Sequence, residues 1–260
     1  MFETITLTTD ARGVAILTLN RPEKHNALSA QMIAELTAVC DQIAGDAEIR
    51  VVILTGAGRS FCAGGDLGWM KQQMDASSEE RAVGARHLAV MLNKLNTLPK
   101  PLIGAIQGQA FGGGIGMMSV CDVAIGVTGA KFGLTETRLG LIPATISPYV
   151  IARMGQGRAR RVMMSARIFE AEEAVRLDLL AAVVAPEELA AAVEAEVTPY
   201  LSVAPGAVAR TKQLIREQGG EISEAQIDMT IQALIEVWEG QEAAEGIGAF
   251  FDKRKAAWNS

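Results

Sequence analysis

The sequence predicts an α/β fold with mostly parallel strands, continued by an α-rich C-terminal part. Short, nearly all-apolar runs closed by turn formers alternate with helical patterns in the first half of the chain, as strands joined by crossover helices do. After about Ile146 the pattern becomes helix after helix. Between these regimes, Phe111-Gly112-Gly113-Gly114-Ile115-Gly116 marks a strand entering a helix through a glycine triplet.

Taken in order, residues 14–19 and 51–55 read as buried strands, each short, apolar and closed by turn formers. Ser29 reads as the N-cap of a helix over residues 30–43. Residues 79–95 form a second helical pattern, with apolar positions at Val83, Leu88, Met91, Leu92 and Leu95. Residues 101–106 and 123–127 extend the strand series. Beyond Ile146, breaks are expected at Gly155-Gln156-Gly157, Pro186, Pro205 and Gly219-Gly220.

Composition narrows the function classes. A chain of 260 residues, 49% of them apolar, buries a substantial core as one domain with an appended piece or as two small domains. The formal charge of −6, with no basic block, gives nucleic acid no electrostatic footing. No apolar run approaches the roughly 18 residues of a membrane span, and the start Met1-Phe2-Glu3-Thr4 lacks a secretory pattern, so a cytoplasmic protein without membrane contact is expected. Cys40, Cys62 and Cys121 have no paired spacing, and the only histidines are His25 and His87, so no disulfide framework, metal site or histidine triad is expected. The cationic cluster Lys253-Arg254-Lys255 reads first as a solvated helix end.

The glycines carry the chemistry. At a helix N-terminus they leave backbone N–H groups uncovered, able to hold a negative oxygen. Ser60-Phe61-Cys62-Ala63-Gly64-Gly65-Asp66 offers a second such corner. A pair of converging N–H donors is what an enolate oxygen requires. The triplet fits neither the dinucleotide fingerprint nor a P-loop, so thioester chemistry is the better reading.

In sequence order, the motifs Arg21-Pro22-Glu23-Lys24-His25-Asn26-Ala27-Leu28, Phe61-Cys62-Ala63-Gly64-Gly65-Asp66-Leu67, Gly112-Gly113-Gly114, Cys121-Asp122, Phe132-Gly133-Leu134-Thr135-Glu136 and Gly140-Leu141-Ile142-Pro143 resemble the crotonase (enoyl-CoA hydratase/isomerase) superfamily. The resemblance covers nearly the whole chain, through Ala249-Phe250-Phe251-Asp252-Lys253-Arg254-Lys255. It implies a crotonase-like spiral of ββα units over residues 1–195 and a helical trimerisation region over 196–260. It also implies a homotrimer or dimer of trimers that takes an acyl-CoA thioester as substrate and needs no separate cofactor or metal. By position, Gly65 and Gly113 would supply the oxyanion N–H donors and Glu136 the catalytic acid/base. Ala63, Asp66 and Leu67 would line the adenine and pantetheine path, with Ala27 among the CoA-binding positions. Lys24 would lie near the CoA phosphates, and Lys253 would add a second phosphate contact, supplied to a neighbouring subunit.

One departure is chemical. Two-glutamate hydratases of this superfamily carry their other carboxylate two residues after the triplet, where this chain has Gly116. Either Glu136 handles both proton transfers, or another group supplies the second, or the reaction is not hydration. A single glutamate also suits a Δ3,Δ2-enoyl-CoA isomerase, and a non-catalytic acyl-CoA-binding subunit is a further alternative. The stretches 61–70 and 133–150 are similar to hydratases of branched glutaconyl-CoA esters, the methylglutaconyl-CoA and isohexenylglutaconyl-CoA types, which favours hydration. For the distal carboxylate of such a substrate the candidates are the hydroxyls of Thr145, Ser147 and Tyr149, with Arg138 or Arg153 as the countercharge. Trp69 and Met70 are candidates for walls of the acyl pocket.

Overall fold

The computed structural model describes residues 2–259. Its strands are β1 (Ile5–Thr9), β2 (Val14–Leu19), β3 (Val51–Gly56), β4 (Ser60–Cys62), β5 (Leu102–Ile106), β6 (Gln109–Phe111), β7 (Val123–Val127), β8 (Lys131–Gly133), β9 (Ile168–Glu170) and β10 (Ala182–Val184). The helices are α1 (Ala30–Gly45), α2 (Leu67–Asp75), α3 (Ser78–Thr97), α4 (Gly113–Val120), α5 (Ser147–Met163), α6 (Ala171–Arg176), α7 (Leu189–Leu201), α8 (Pro205–Gly219), α9 (Glu224–Trp238) and α10 (Gln241–Phe251). None is long and apolar enough to cross a membrane.

The strands form a six-stranded sheet of order β1-β2-β3-β5-β7-β10 and a four-stranded sheet of order β4-β6-β8-β9. Among the described residues only the β1/β2 and β8/β9 pairs are antiparallel. Each of β3, β5 and β7 is followed by a strand of the smaller sheet and then by helix, so the chain winds as a spiral of ββα turns. The central strand β5 of the larger sheet is buried on both faces, which is why it reads Leu-Ile-Gly-Ala-Ile without alternation. Helix α1 begins where Ser29 accepts the Met32 N–H, and it buries Met32, Ile33, Leu36, Val39, Cys40 and Ile43, a 3.6-residue stripe against the sheet.

The C-terminal part is less purely helical than expected. β9 and β10 interrupt it, each too short for a period-two pattern to show, and each becomes a strand by extending a sheet edge, β9 on β8 and β10 on β7. Val83, expected on the buried face of α3, is 51% exposed, whereas Met91, Leu92 and Leu95 are buried. The break at Gly155 is a kink within α5, where this glycine takes φ 72°. Helix α7 runs across 195/196, while α8 buries no residue at all.

Candidate active site

The first glycine corner is built by the loop before α1. Asn26 is fully buried; its Oδ1 accepts the Arg21 N–H at 2.9 Å, and its Nδ2 donates to the carbonyls of Ala57 and Ser60 at 2.9 and 2.8 Å. Arg21 donates to the Ala27 carbonyl at 2.7 Å and to Asp66 Oδ2 at 2.9 Å. The Leu28 N–H donates to Gly64 O at 2.8 Å, and the Asp66 N–H donates to Leu28 O at 3.0 Å. Gly65 is thereby fixed between two bonded neighbours, while its own N–H meets no acceptor among the described residues.

The second corner follows β6. Gly112 has φ 46° and ψ −114°, a conformation that only glycine adopts without strain, and its N–H donates to Gly133 O at 3.1 Å. This bond ties the triplet to β8, the strand that leads to Glu136. Gly113 then opens α4, so its N–H is one of the uncapped donors of the helix N-terminus.

The corners meet. A Cβ placed on Gly112 would lie 3.9 Å from the Gly64 Cα and 2.8 Å from Glu136 Oε1, and one placed on Gly113 would lie 2.6 Å from Leu28 Cδ1. Gly64-Gly65, Gly112-Gly113 and the Glu136 carboxyl therefore share one small volume. Gly65 and Gly113 are both partly open to solvent.

Glu136 begins a tight 3-10 turn (Glu136–Leu139) after Thr135. Its Oε2 is buried without any hydrogen-bond partner. Burial pushes its carboxyl from the ordinary 4.5 up to about 7, partly opposed by a backbone hydrogen bond. It pairs with neither Arg138 nor Lys131, the partners a surface glutamate here would have taken. An acid that titrates near neutral pH can take and give a proton at that pH.

The other expected positions separate into groups. Ala63 is half-buried and donates its N–H to His25 O; Ala27 is buried and its carbonyl holds Arg21; Leu67 is 52% exposed at the start of α2. Asp66 caps α2 through the N–H groups of Gly68 and Trp69. Burial raises its carboxyl, but the hydrogen bonds from Arg21, Trp69 and Gly68 outweigh that and hold it below the ordinary 3.8. Lys24 is exposed in the turn Pro22–Lys24, and Lys253 is exposed just beyond α10. Trp69 lies over Gly65 and Gly84, whose Cβ positions would be 3.8 and 3.5 Å from its ring, and Met70 is half-buried.

Three of the suggested carboxylate ligands are otherwise engaged. Tyr149 donates its hydroxyl to Ala89 O at 3.3 Å, and Arg153 donates to Ser119 O at 3.2 Å. One turn apart on α5, both side chains line a cavity of about 780 Å³ against α8 that includes none of Gly65, Gly113 and Glu136. Ser147 donates to Ala144 O at 2.7 Å. Thr145 is buried and Arg138 exposed, and neither side chain has a partner among the described residues. Cys62 is inert: burial pushes its thiol up to about 12.

Residues given no role by the sequence matter here. Arg21 and Leu28 hold the first corner. Ile146 fills the space over Gly116, where a Cβ would come within 2.7 Å of its Cγ2. Arg21 and Leu28 bound a motif already singled out, but nothing local connects Ile146 with Gly116.

The sequence model of the enoyl-CoA hydratase/isomerase family matches residues 9–260. The short-chain-enoyl-CoA hydratase of Clostridium acetobutylicum is 34% identical over 248 residues, covering 93% of this chain and 92% of its own. Among solved structures, an enoyl-CoA hydratase from Shewanella pealeana is 36% identical with a TM-score of 0.82, covering 99% of this chain and 97% of its own. Pseudomonas aeruginosa AtuE is 37% identical with a TM-score of 0.81, covering 99% of this chain and all (100%) of its own. With its paired glycine corners, its spiral of ββα turns and this match over almost its full length, the chain belongs to the enoyl-CoA hydratase/isomerase family and is an enoyl-CoA hydratase of the crotonase superfamily.

Proposed function

We propose that Gly65, Gly113 and Glu136 hydrate a branched enoyl-CoA ester, 3-methylglutaconyl-CoA or a related glutaconyl-CoA, with Glu136 as the only acid/base. The convergence of the Glu136 carboxyl, its Oε2 unpaired, on the glycine corners is the observation that carries this reading. The thioester oxygen accepts the N–H groups of Gly65 and Gly113. The Glu136 carboxylate takes a proton from water as its oxygen bonds to C3, and the electron pair of the C2=C3 bond moves onto the thioester oxygen. Glu136 returns the proton to C2, the carbonyl re-forms, and one water has been added. Each oxyanion donor contributes roughly 3 to 4 kcal/mol to stabilising the enolate over the substrate.

The absence of a second glutamate fits this assignment. Gly116 is buried in α4 beneath Ile146, so the position that would carry another carboxylate faces hydrocarbon. The branched substrate rests on the similarity of stretches 61–70 and 133–150 to glutaconyl-CoA hydratases. With Tyr149, Ser147 and Arg153 engaged elsewhere, Thr145 and Arg138 are left to hold the distal carboxylate. CoA would lie along Ala27, Ala63, Asp66 and Leu67, with Lys24 and a neighbouring subunit's copy of Lys253 toward the phosphates in a trimer or dimer of trimers.

The test is a panel of enoyl-CoA esters, including crotonyl-CoA and 3-methylglutaconyl-CoA, followed by loss of the conjugated thioester absorbance. Preference for the branched dicarboxylic ester, abolished by Glu136→Gln with ester binding retained, is expected. Turnover of crotonyl-CoA alone would overturn the substrate, and a double-bond shift without alcohol would make the enzyme an isomerase.

A further inference from the structure

We propose that the C-terminal helix α10 positions Glu136 through a backbone contact at Gly246. The inference rests on Glu136 being the acid/base. A Cβ on Gly246 would lie 2.4 Å from the Leu139 carbonyl carbon, 2.5 Å from its oxygen and 2.9 Å from the Gly140 nitrogen. The approach is reciprocal: a Cβ on Gly140 would lie 2.2 Å from Glu242 O and 2.8 Å from the Ala243 nitrogen. Gly140 also has φ 66°, the left-handed conformation that ends the Glu136–Leu139 turn. Opposed glycines thus let α10 lie directly on the main chain of the turn that carries the carboxyl. Leu141, Ala243 and Ile247 close a small buried cluster beside them, with Leu139, Val237, Trp238 and Phe251 packed around it.

Little else fixes this turn. Its backbone bonds are internal: Arg138 N–H to Thr135 O, Gly140 N–H to Thr137 O and Leu141 N–H to Glu136 O, at 3.1, 3.3 and 3.1 Å. Among the described residues its one side-chain bond beyond the turn is the long contact of Thr137 Oγ1 with Met164 O, at the end of α5, at 3.4 Å. The carboxyl makes no side-chain bond to another element: its backbone hydrogen bond is to its own residue, and Oε2 has no partner among the described residues. Its location is therefore set by the backbone of the turn, and that backbone is pressed into place by α10. The last helix of the chain, far from Glu136 in sequence, completes the site without touching substrate. Gly246 is a positioning residue.

Gly248 provides the control, because a Cβ there meets nothing closer than Arg254 Nη2 at 3.8 Å. Gly246→Ala and Gly248→Ala make the same chemical change on one helix, but only the first pushes against the turn. A displacement of this order at a catalytic group costs roughly ten- to a hundredfold in rate. The expected result is a kcat for Gly246→Ala lower by about that factor, KM within about twofold, and an acid limb of kcat/KM displaced from that of the parent enzyme, with Gly248→Ala unchanged. Should Gly246→Ala fail to fold, Ile247→Ala loosens the same contact by a cavity, and a loss of kcat with a displaced limb is expected again. Parental kcat and pH profile in the folded variant, or equal losses in both glycine variants, would overturn the proposal. Glu136→Gln assayed alongside separates the readings: if it stays active, the role of Glu136 falls and this inference with it, whereas an inactive Glu136→Gln beside a normal Gly246→Ala removes only the role of α10.

Discussion

Glu136→Gln should make the protein more stable at alkaline pH while removing its activity. The carboxyl is raised from 4.5 to about 7 because the folded protein buries it, with Oε2 unpartnered and only a backbone hydrogen bond opposing the shift. Below about pH 4.5 the group is protonated folded and unfolded, and it adds no pH dependence. Between 4.5 and about 7 the native state holds the proton that the unfolded chain has lost, so unfolding becomes easier as pH rises. Above about 7 the penalty is complete, because the folded protein then buries a charge. At about 1.4 kcal/mol per unit, the shift corresponds to about 3 kcal/mol. Glutamine has the same shape and never ionises. The difference in unfolding free energy between the variant and the parent should therefore grow by about 3 kcal/mol from pH 4.5 to 8, and then level off. Urea unfolding at one protein concentration across that range measures it, with all other titrations cancelling in the difference. A difference that is flat in pH would show a solvated carboxyl and refute the buried-acid reasoning, whatever the variant does to turnover.

The remaining expectations concern rate, space and the first corner. With Glu136 as the proposed base of the water step, kcat/KM should fall about tenfold per unit as pH drops below about 7, and a profile level down to pH 5 would assign the base elsewhere. Gly116→Glu should not rescue Glu136→Gln, because its Cβ meets Ile146 at 2.7 Å; crowding alone should cost about 1 to 3 kcal/mol in thermal or urea unfolding, and recovered hydration would refute the one-glutamate site. Arg21→Met should leave Asp66 without its mostly buried partner, cost about 1.5 to 3 kcal/mol of stability, and raise KM for the CoA ester more than it lowers kcat; an unchanged KM would mean that Arg21 does not organise the Gly65 corner.

The site was legible in the sequence where a single residue type reports backbone geometry. The glycine triplet and Gly64-Gly65 announced uncovered N–H groups, and the structure sets both at strand-to-helix corners. Glu136 was legible only as part of an ordered motif, because the burial that raises its carboxyl comes from outside its own turn, with Gly112 beyond β6 set against it. Helix phase was not legible: Tyr149 and Arg153 were near the site in sequence, but the turn of α5 carries both to the cavity beneath α8. Pairs formed across the spiral were equally hidden. Arg21 meets Asp66 across 45 residues, and Ile146 covers Gly116, with no local pattern marking either. β9 and β10 escaped because three-residue strands exist by pairing, not by pattern.

The unpaired groups of this site are of opposite kinds, and that is its logic. Gly65 and Gly113 leave N–H donors without acceptors, while Glu136 Oε2 is an acceptor without a donor. Buried away from water such groups would find one another, since a lone buried polar atom such as Glu136 Oε2 costs roughly 1 to 3 kcal/mol, whereas Gly65 and Gly113 are partly open to solvent. Here the geometry keeps them apart: Gly65 is clamped between bonded neighbours, Gly113 is locked in a helix terminus, and the carboxyl is carried on a separately braced turn. In the proposed reaction an enoyl thioester would satisfy them in turn, its oxygen taking the donors as charge gathers there and the incoming water supplying the proton that the carboxylate lacks. Interactions of this kind strengthen as the enolate forms, so under the proposed mechanism the cost carried by the folded protein is offset in the transition state more than in the bound substrate, and that difference would accelerate the reaction.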